Sequence, residues 1–463
     1  LSKNDEGQPL PGGWVRGHLR DVLLTIEAGK SFTCEPRPAE DDEWGVIKVS
    51  AMTWGTFRAS ENKAVPAGKA FNEKHEIRAG DILISRANTR EYVGAPVLVR
   101  ECRPRLLLSD KSLRLIPGAG VNRKWLLYIL SSPQVREYIS NTATGTKDSM
   151  RNISQVGLLD APIDIPPLAE QQRIVEALED YLSRLDAAEG SVSHAMGLLE
   201  SLRMALPQGV IVHEVLPEGW TTAQIKDIAA VGTGSTPSRS RKDYYEDGVI
   251  PWVTSSLINE SVITASEKFI TELAASETSI RIFPAGSLLV AMYGEGRTRG
   301  KSSELAIPAA INQACAAIVL NEEHVNRKDW LKVALEVKYN DLRRMAAGGV
   351  QPNLNLRLIK DIEIPLPPIG VQEETLGEFE NSMTASMRLG TSCAKAQSRA
   401  RHLRRSILSR AFAGRLVPQD PSDEPASALL ARVESERKAL AKPTRRRAVK
   451  QPRTMTASQE FDA

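Results

Sequence analysis

Cysteine is scarce: Cys34, Cys102, Cys315 and Cys393 are the only 4 among 463 residues, and no CxxC pair or neighbouring histidine cluster accompanies them. That usage indicates neither a zinc site nor a disulfide framework, and it fits a reducing compartment. The 6 histidines, His18, His75, His194, His213, His324 and His402, are scattered, with no HExxH or close His/Cys group for metal-assisted hydrolysis. Long apolar runs are missing too. Nothing approaches the roughly 18 residues that a membrane helix needs, and the opening LSKNDEGQPLPGG is too polar for a signal peptide. A soluble cytoplasmic protein with no membrane partner is expected. There is no G-x-x-x-x-G-K-S/T nucleotide loop, and VGTGST lacks the third glycine and following helix of a dinucleotide fingerprint.

What is present is packable and repeated. A hydrophobic content of 41% suffices for real cores. PPLAEQQRIVEALEDYL at 166–182 has a blurred copy, PPIGVQEETLGEFENSM, at 367–383, an offset of 201 that also carries Asn152-Ile153-Ser154 onto Asn353-Leu354-Asn355 and Leu202-Arg203 onto Leu403-Arg404. Further upstream, LPGGW ending at Trp14 matches LPEGW ending at Trp220, and the offset is 206. Two copies of one unit of about 200 residues account for both offsets.

Each copy begins with short strand-like runs punctuated by Gly, Pro and Asn: VIKVSAM, GDILISR and KSLRLI in the first, GVIPWVTSS, GSLLVAMYG and ACAAIVL in the second. Helical patterns follow, RKWLLYILSSPQVREYI and RKDWLKVALEVKYNDLRRM. From Ile174 onward, Leu178, Tyr181, Leu185, Ala188, Val192, Ala195, Leu199, Leu202 and Leu206 alternate spacings of four and three, a heptad seam that predicts a long helix packed on another helix. The offset of 201 gives the second seam, including Phe379, Leu389, Leu403 and Ile407. The expected fold is α+β: two similar domains, 1–165 and 212–366, separated by two long antiparallel helices, 166–211 and 367–413, that form a coiled coil. After them, 414–463 reads as a linker, a short charged helix and a basic tail expected to be disordered. The net charge is only +3, but residues 381–463 hold 17 Lys/Arg against 7 Asp/Glu, so the excess lies in that stretch.

Two diverged globules joined by two similar helices resemble the specificity subunits of type I restriction-modification systems. The helix opening IDIPPLAEQQRI is similar to the family's IPxPPLxEQxxI, and SILSRAFAGRLVP to the usual close of its distal helix. GSTPSRSRKDYYEDGVIPWV, LLVAMYGEGRTRGKSS and AINQAC in the second copy, and LISRANTREYVGAP and LLLSDKSLRLIP in the first, resemble recognition-domain signatures of two subclasses. The distal opening departs from the pattern, with GVQEET in place of EQxxI. The resemblance implies two target-recognition domains reading a split double-stranded DNA site, a rod holding two modification (methyltransferase) subunits, and restriction subunits joining them. It also implies no catalytic centre and no cofactor in this chain; S-adenosylmethionine, ATP and Mg would belong to the partners. The adenine methyltransferase tetrapeptide, Asp/Asn-Pro-Pro-aromatic, is indeed missing, since the PP pairs follow Ile165 and Leu366.

A DNA reader needs Arg or Lys to pair with guanine and Asn or Gln with adenine, on loops able to enter the major groove. Loop candidates are Arg86, Asn88, Arg90, Lys147, Arg151 and Asn152 in the first copy. In the second they are Ser235, Thr236, Arg239, Tyr293, Arg297, Arg299, Lys301, Gln351 and Asn353. Candidate helix-pairing residues are Ile174, Leu178, Tyr181, Leu185, Val192, Leu199, Leu202, Phe379, Leu389, Leu403 and Ile407. The alternatives are a recognition subunit whose partner fuses restriction and modification in one chain, and a coiled-coil scaffold that binds protein rather than DNA.

Overall fold

The structure, a computed structural model, describes residues 9–31, 33–53, 55–145, 150–293, 298–347 and 353–441. The chain divides into two compact units, Leu1–Gly190 with Gln397–Ala463, and Ser191–Ala396, so the division runs through both long helices.

In the first unit Leu23–Ala28, Ser112–Pro117, Ile82–Ser85 and Pro96–Leu98 form an antiparallel sheet in that order. Asn62–Ala64, Gly45–Ile47 and Leu106–Leu107 form a second sheet, its last pair parallel. Ile82–Ser85 is apolar without alternation because both its faces are covered. Ile82 and Ile84 join Trp125 and Leu126 in the core under the helices, whereas Leu83 points the other way, to Ile47 and Met52. That is the period of two expected of a strand. The helical stretch is two helices, Arg123–Leu130 and Pro133–Thr142. Asn122 caps the first by accepting from the Lys124 and Trp125 amides, and Ser132 caps the second, with Pro133 where an absent N–H is tolerated.

The second unit repeats this order with Ala229–Thr233, Cys315–Leu320, Ser287–Ala291 and Ser302–Leu305, then adds Val262–Ile263 in parallel at the edge. Its other sheet runs Phe269–Ile270, Ile250–Val253, Ala309–Ile311, Ile282–Phe283. Leu288 and Val290 pack with Trp330, and Leu289 and Ala291 with Val253 and Ile311, the same two-faced division as in the first unit. Lys328–Ala347 is one helix where the first unit has two. The repeated Asn/Ser triplet also has a physical role. Ser154 and Asn355 each cap a five-residue helix, accepting from the Gly157 and Leu358 amides at 2.9 Å, while Ile153 and Leu354 are buried.

The opening motif of each long helix is a joint. Buried Gln171 donates to Pro166 O and accepts from the Asn122 amide, both at 3.1 Å. Its counterpart Gln372 donates to Asn326 O at 2.9 Å and accepts from Arg327 at 3.2 Å. Glu170 accepts from Trp14 Nε1 at 2.8 Å and Gln419 Nε2 at 2.7 Å. In the second copy Val371 occupies that position, and Trp220 instead packs edge-on against Trp330 and His213. The departure in GVQEET therefore keeps the glutamine and drops the carboxylate.

Leu168–Ile211 and Ile369–Phe412 are helices of 44 residues each, and they pair antiparallel. Within the first unit Arg404 reaches Asp186 and Glu189, and Ile407, Leu408, Ala411 and Phe412 share a core with Ile174, Val175, Leu178 and Leu182. Within the second, Arg203 donates to Ser386 Oγ at 3.0 Å and Ser386 O at 2.9 Å, while Phe379 lines one groove with Leu206 and Val210. Leu185, Val192, Leu199 and Phe379 are partly covered and Ile407 is buried. Tyr181, Leu202, Leu389 and Leu403, read as seam residues, are instead exposed at 45, 46, 56 and 47%. Alternate seam positions fall one residue later, on Leu182, Arg203, Gly390 and Arg404. The reading favoured aliphatic side chains, but an arginine can lay its stem in a seam and carry its head to a partner. Gly390 leaves room for one such head, since a Cβ there would lie 2.8 Å from Arg203 Nη2.

The charged helix Ala426–Ala441 is an integral part of the first unit. Ala426, Leu429 and Val433 are buried in its core, and Arg437 donates to Arg20 O and Leu23 O at 2.6 and 2.8 Å. The basic tail, 442–463, lies outside the described residues. No helix among the described residues is long and apolar enough to cross a membrane.

Candidate nucleic-acid interface

Each unit carries one strand-end loop of the same build. After Ile82–Ser85, the Gly94 amide donates to Ser85 O and the Ser85 amide to Ala95 O, at 2.6 and 3.1 Å; after Ser287–Ala291, Gly300 and Ala291 make the same two bonds with Ala291 O and Lys301 O, at 2.9 and 3.0 Å. Both closing glycines have positive φ, +69° at Gly94 and +83° at Gly300, a conformation that side chains disfavour. The bases of the loops are tied alike. The Arg86 amide donates to Lys111 O and that of Met292 to Ala314 O, at 2.9 and 2.8 Å. The Ile153 amide donates to Arg86 O and that of Leu354 to Met292 O, at 3.0 and 3.1 Å.

That last bond brings a second loop alongside. In the first unit Ala87–Asn88 pairs antiparallel with Arg151–Asn152, which sets Arg86 and Asn88 beside Arg151 and Asn152 in one patch of backbone, with Arg90 two residues further along the same loop. In the second unit it places Asn353 next to the start of the Tyr293 loop. Lys147, Arg297 and Gln351 lie outside the described residues.

Within the patch the side chains are differently engaged. Arg151 donates to Ala143 O at 2.6 Å and Gly145 O at 3.1 Å, so it organises its own loop. Asn88 donates to Ser85 Oγ and accepts from the Thr89 amide, so both functions of its amide are used locally. Arg86 is half-buried; Arg90 is exposed and reaches Ser140 Oγ at 3.4 Å; Asn152 is exposed. In the second unit Tyr293 and Arg239 are exposed, Ser235, Arg299 and Asn353 half-exposed, and Lys301 donates to Asn259 Oδ1 at 3.0 Å. Thr236 donates to Gln313 Oε1. Thr236 and Arg239 face a polar cleft whose other walls, Thr254, Ser256, Lys268 and Gln313, the sequence reading missed. These four come from three separate turns, and only the polar Asn312-Gln313 pair between two apolar strands could have signalled one of them.

Among the described residues no group of three or more His, Cys, Asp and Glu could hold a metal ion. The Cys315 thiol is pushed up to about 12 by burial and Cys102 to about 11, so neither is a thiolate near neutral pH.

The sequence model of the family described as Type I restriction modification DNA specificity domain matches residues 11–191 and again 217–381. The chain belongs to that specificity family. The type I restriction enzyme EcoEI specificity subunit of Escherichia coli is 32% identical over 203 residues, which cover 42% of this chain and 34% of that protein. For EcoEI, and likewise for the MjaIX and EcoR124I/EcoR124II specificity subunits, this chain spans only about a third to two fifths of their length. The EcoKI specificity subunit of Escherichia coli K12 aligns more widely, 22% identical over 93% of this chain and 97% of its own. Among solved structures, the HsdS subunit of Thermoanaerobacter tengcongensis has a TM-score of 0.59 at 18% identity, covering 89% of this chain and 99% of that one. A chain from a study of complex assembly and conformational transition in the type I R-M system has a TM-score of 0.67 at 18% identity, covering 88% and 100%. The specificity-family fold thus extends over both units.

Proposed function

We propose that this chain is the cytoplasmic DNA-specificity subunit of a type I restriction-modification complex, reading one half of a split duplex site with each unit. The observation that carries the reading is the repeated strand-end loop: both copies keep its hydrogen bonds and its left-handed glycine, while nearly every side chain between differs. A scaffold that binds protein would have no evident use for one loop closure holding two side-chain sets, whereas a bipartite reader needs it. The candidate loop residues supply the base and phosphate contacts of this reading, except Arg151 and Asn88, whose polar groups are engaged within their own loops. The helices set the gap between half-sites, and their exposed Leu198, Leu202, Met204, Met387 and Leu389 offer apolar surface to two methyltransferase subunits. Those subunits bring S-adenosylmethionine and act on an extruded adenine, and restriction subunits bring ATP and Mg.

The test is to co-express the chain with its modification subunits and map methylated adenines genome-wide. A single split motif is expected. Replacing the second unit by that of a relative should change one half of the motif only. Methylation without a split motif, or methyl transfer by the purified chain alone, would sink the reading.

A further inference from the structure

The second unit holds a polar cleft of about 560 Å³, to which the candidate loops contribute only Thr236 and Arg239. Its walls carry Thr236, Arg239, Thr254, Ser256, Lys268 and Gln313, and no carboxylate lines it. Neighbouring cations are neutralised: Arg241 sits on Asp243 and Glu277, and Lys328 and Lys332 sit on Glu304. Arg239 and Lys268 make no ion pair among the described residues, and both are exposed at the mouth. Donors remain among the other polar groups. Thr254 and Ser256 share a hydrogen bond between their hydroxyls at 2.8 Å, which leaves one hydroxyl proton for a ligand, and Thr236 donates to the Gln313 oxygen, which leaves the Gln313 amide N–H groups. Two cations, a hydroxyl and an amide donor around a space without acids describe a receptor for a phosphate group.

The cleft also shares its walls with the strand-end loop. Lys301 donates to Asn259 Oδ1 and Asn259 donates to Ser256 O, both at 3.0 Å; on the other side the Met292 and Tyr293 amides reach Ala314 O, next to Gln313, at 2.8 and 3.4 Å. We infer that the cleft seats a backbone phosphate of the duplex half-site read by the second unit and so sets that loop's register on the groove. This rests on the DNA-specificity reading. A free phosphate would find only two solvent-exposed charges; one tethered in a duplex is delivered at high effective concentration by the other contacts. Among the described residues the first unit lacks the site. There the Ser112 amide donates to Ser109 O at 3.1 Å, as the Cys315 amide does to Asn312 O, so Asp110 stands where Gln313 does and its carboxylate would repel a phosphate.

The experiment measures affinity of the complex with its modification subunits for a duplex carrying the split site, over a salt series, for the wild type and for Arg239→Gln/Lys268→Gln, whose exposed side chains leave the fold intact. One phosphate contact contributes a slope of about 0.9 in log affinity against log salt, so between about 50 and 200 mM salt the wild type should lose roughly 3.5-fold more affinity than the variant. The variant should bind more weakly to every sequence alike, and its methylated motif should be unchanged. An unchanged slope overturns the inference, as does a loss confined to one base pair, which would make these residues base readers. Inorganic phosphate at constant ionic strength supplies the other arm. If it raises the melting temperature of the wild type but not of the variant while the DNA slopes agree, the cleft is a free-anion site and the inference fails. A wild-type complex with no sequence preference would fail the specificity reading itself, before the variant is measured.

Discussion

Alanine at Gly94 and at Gly300 separates two costs that the equivalent hairpins combine differently. A left-handed backbone costs an L-residue about 1–2 kcal/mol. At Gly300 that is the whole expected penalty, because an added Cβ would meet nothing nearer than Tyr339 O at 3.4 Å. At Gly94 the same atom would fall on Ile139 Cγ2 and lie 3.1 Å from Ile139 Cδ1. Ile139 is fully buried and cannot swing away, so overpacking adds about 1–3 kcal/mol. Gly94→Ala should therefore destabilise the first unit by about 2–5 kcal/mol, against about 1–2 kcal/mol for Gly300→Ala in the second. Ile139→Ala costs about 2–5 kcal/mol as a cavity, but it removes both clashing atoms. The Gly94→Ala/Ile139→Ala pair should then fall short of additivity by about 1–3 kcal/mol. Native-state hydrogen exchange in graded urea, read peptide by peptide, reports each unit separately. Equal losses at the two glycines, or additive losses in the double variant, would refute the packing argument.

Leu202→Ser and Leu403→Ser should change thermal stability by less than about 0.5 kcal/mol, as exposed positions do, whereas Arg404→Ala, which strips Asp186 and Glu189 of their partly screened partner, should cost about 1 kcal/mol; the reverse ranking would restore the leucine seam. Burial, opposed by the Trp14 and Gln419 hydrogen bonds, raises the Glu170 carboxyl above its ordinary 4.5. The folded unit therefore keeps that proton where the unfolded chain has released it, so this group makes stability fall as pH rises through the interval above 4.5. Glu170→Gln should flatten the melting temperature of the first unit over that interval, and an unaltered slope would remove Glu170 as its source. If the paired helices set the gap, deleting one heptad from each at matched positions shortens the rod by about 10 Å at roughly 1.5 Å per residue, or about three base pairs. The half-sites should stay and the gap in the methylated motif should shrink; a folded variant with the parental gap contradicts the spacer role.

Much of the fold was legible because local chemistry and the repeat agree. The buried run ILIS and the PP-containing helix openings act within a few residues of where the sequence displays them. The seam phase was not legible, since Arg203 and Arg404 look like solvent residues until a partner helix supplies Ser386 or Asp186. Arg151 was marked by its type and its Gly/Thr/Ser-rich setting, but its targets are backbone carbonyls, which leave no trace in composition. The phosphate cleft was hidden for a related reason: Lys268, Thr254 and Gln313 are ordinary turn residues until the sheet brings their turns together.

The docking of Ala426–Ala441 on the first unit has a consequence for synthesis. Ser191–Ala396 is one continuous stretch and can close its core as soon as it leaves the ribosome, whereas the first unit waits for segments beyond residue 396 to supply Phe412, Leu429 and Val433. About 250 residues separate Gly190 from Ala441, a delay of roughly 12–50 s at about 5–20 residues per second. During that interval the surfaces that Val433 and Leu429 later cover, beside Gly118 and Gly120, stay open on the half of the protein made first. The earlier-born unit is thus the later to mature, and a premature stop near residue 420 would strip the first unit of Leu429 and Val433 while leaving Ser191–Ala396 whole.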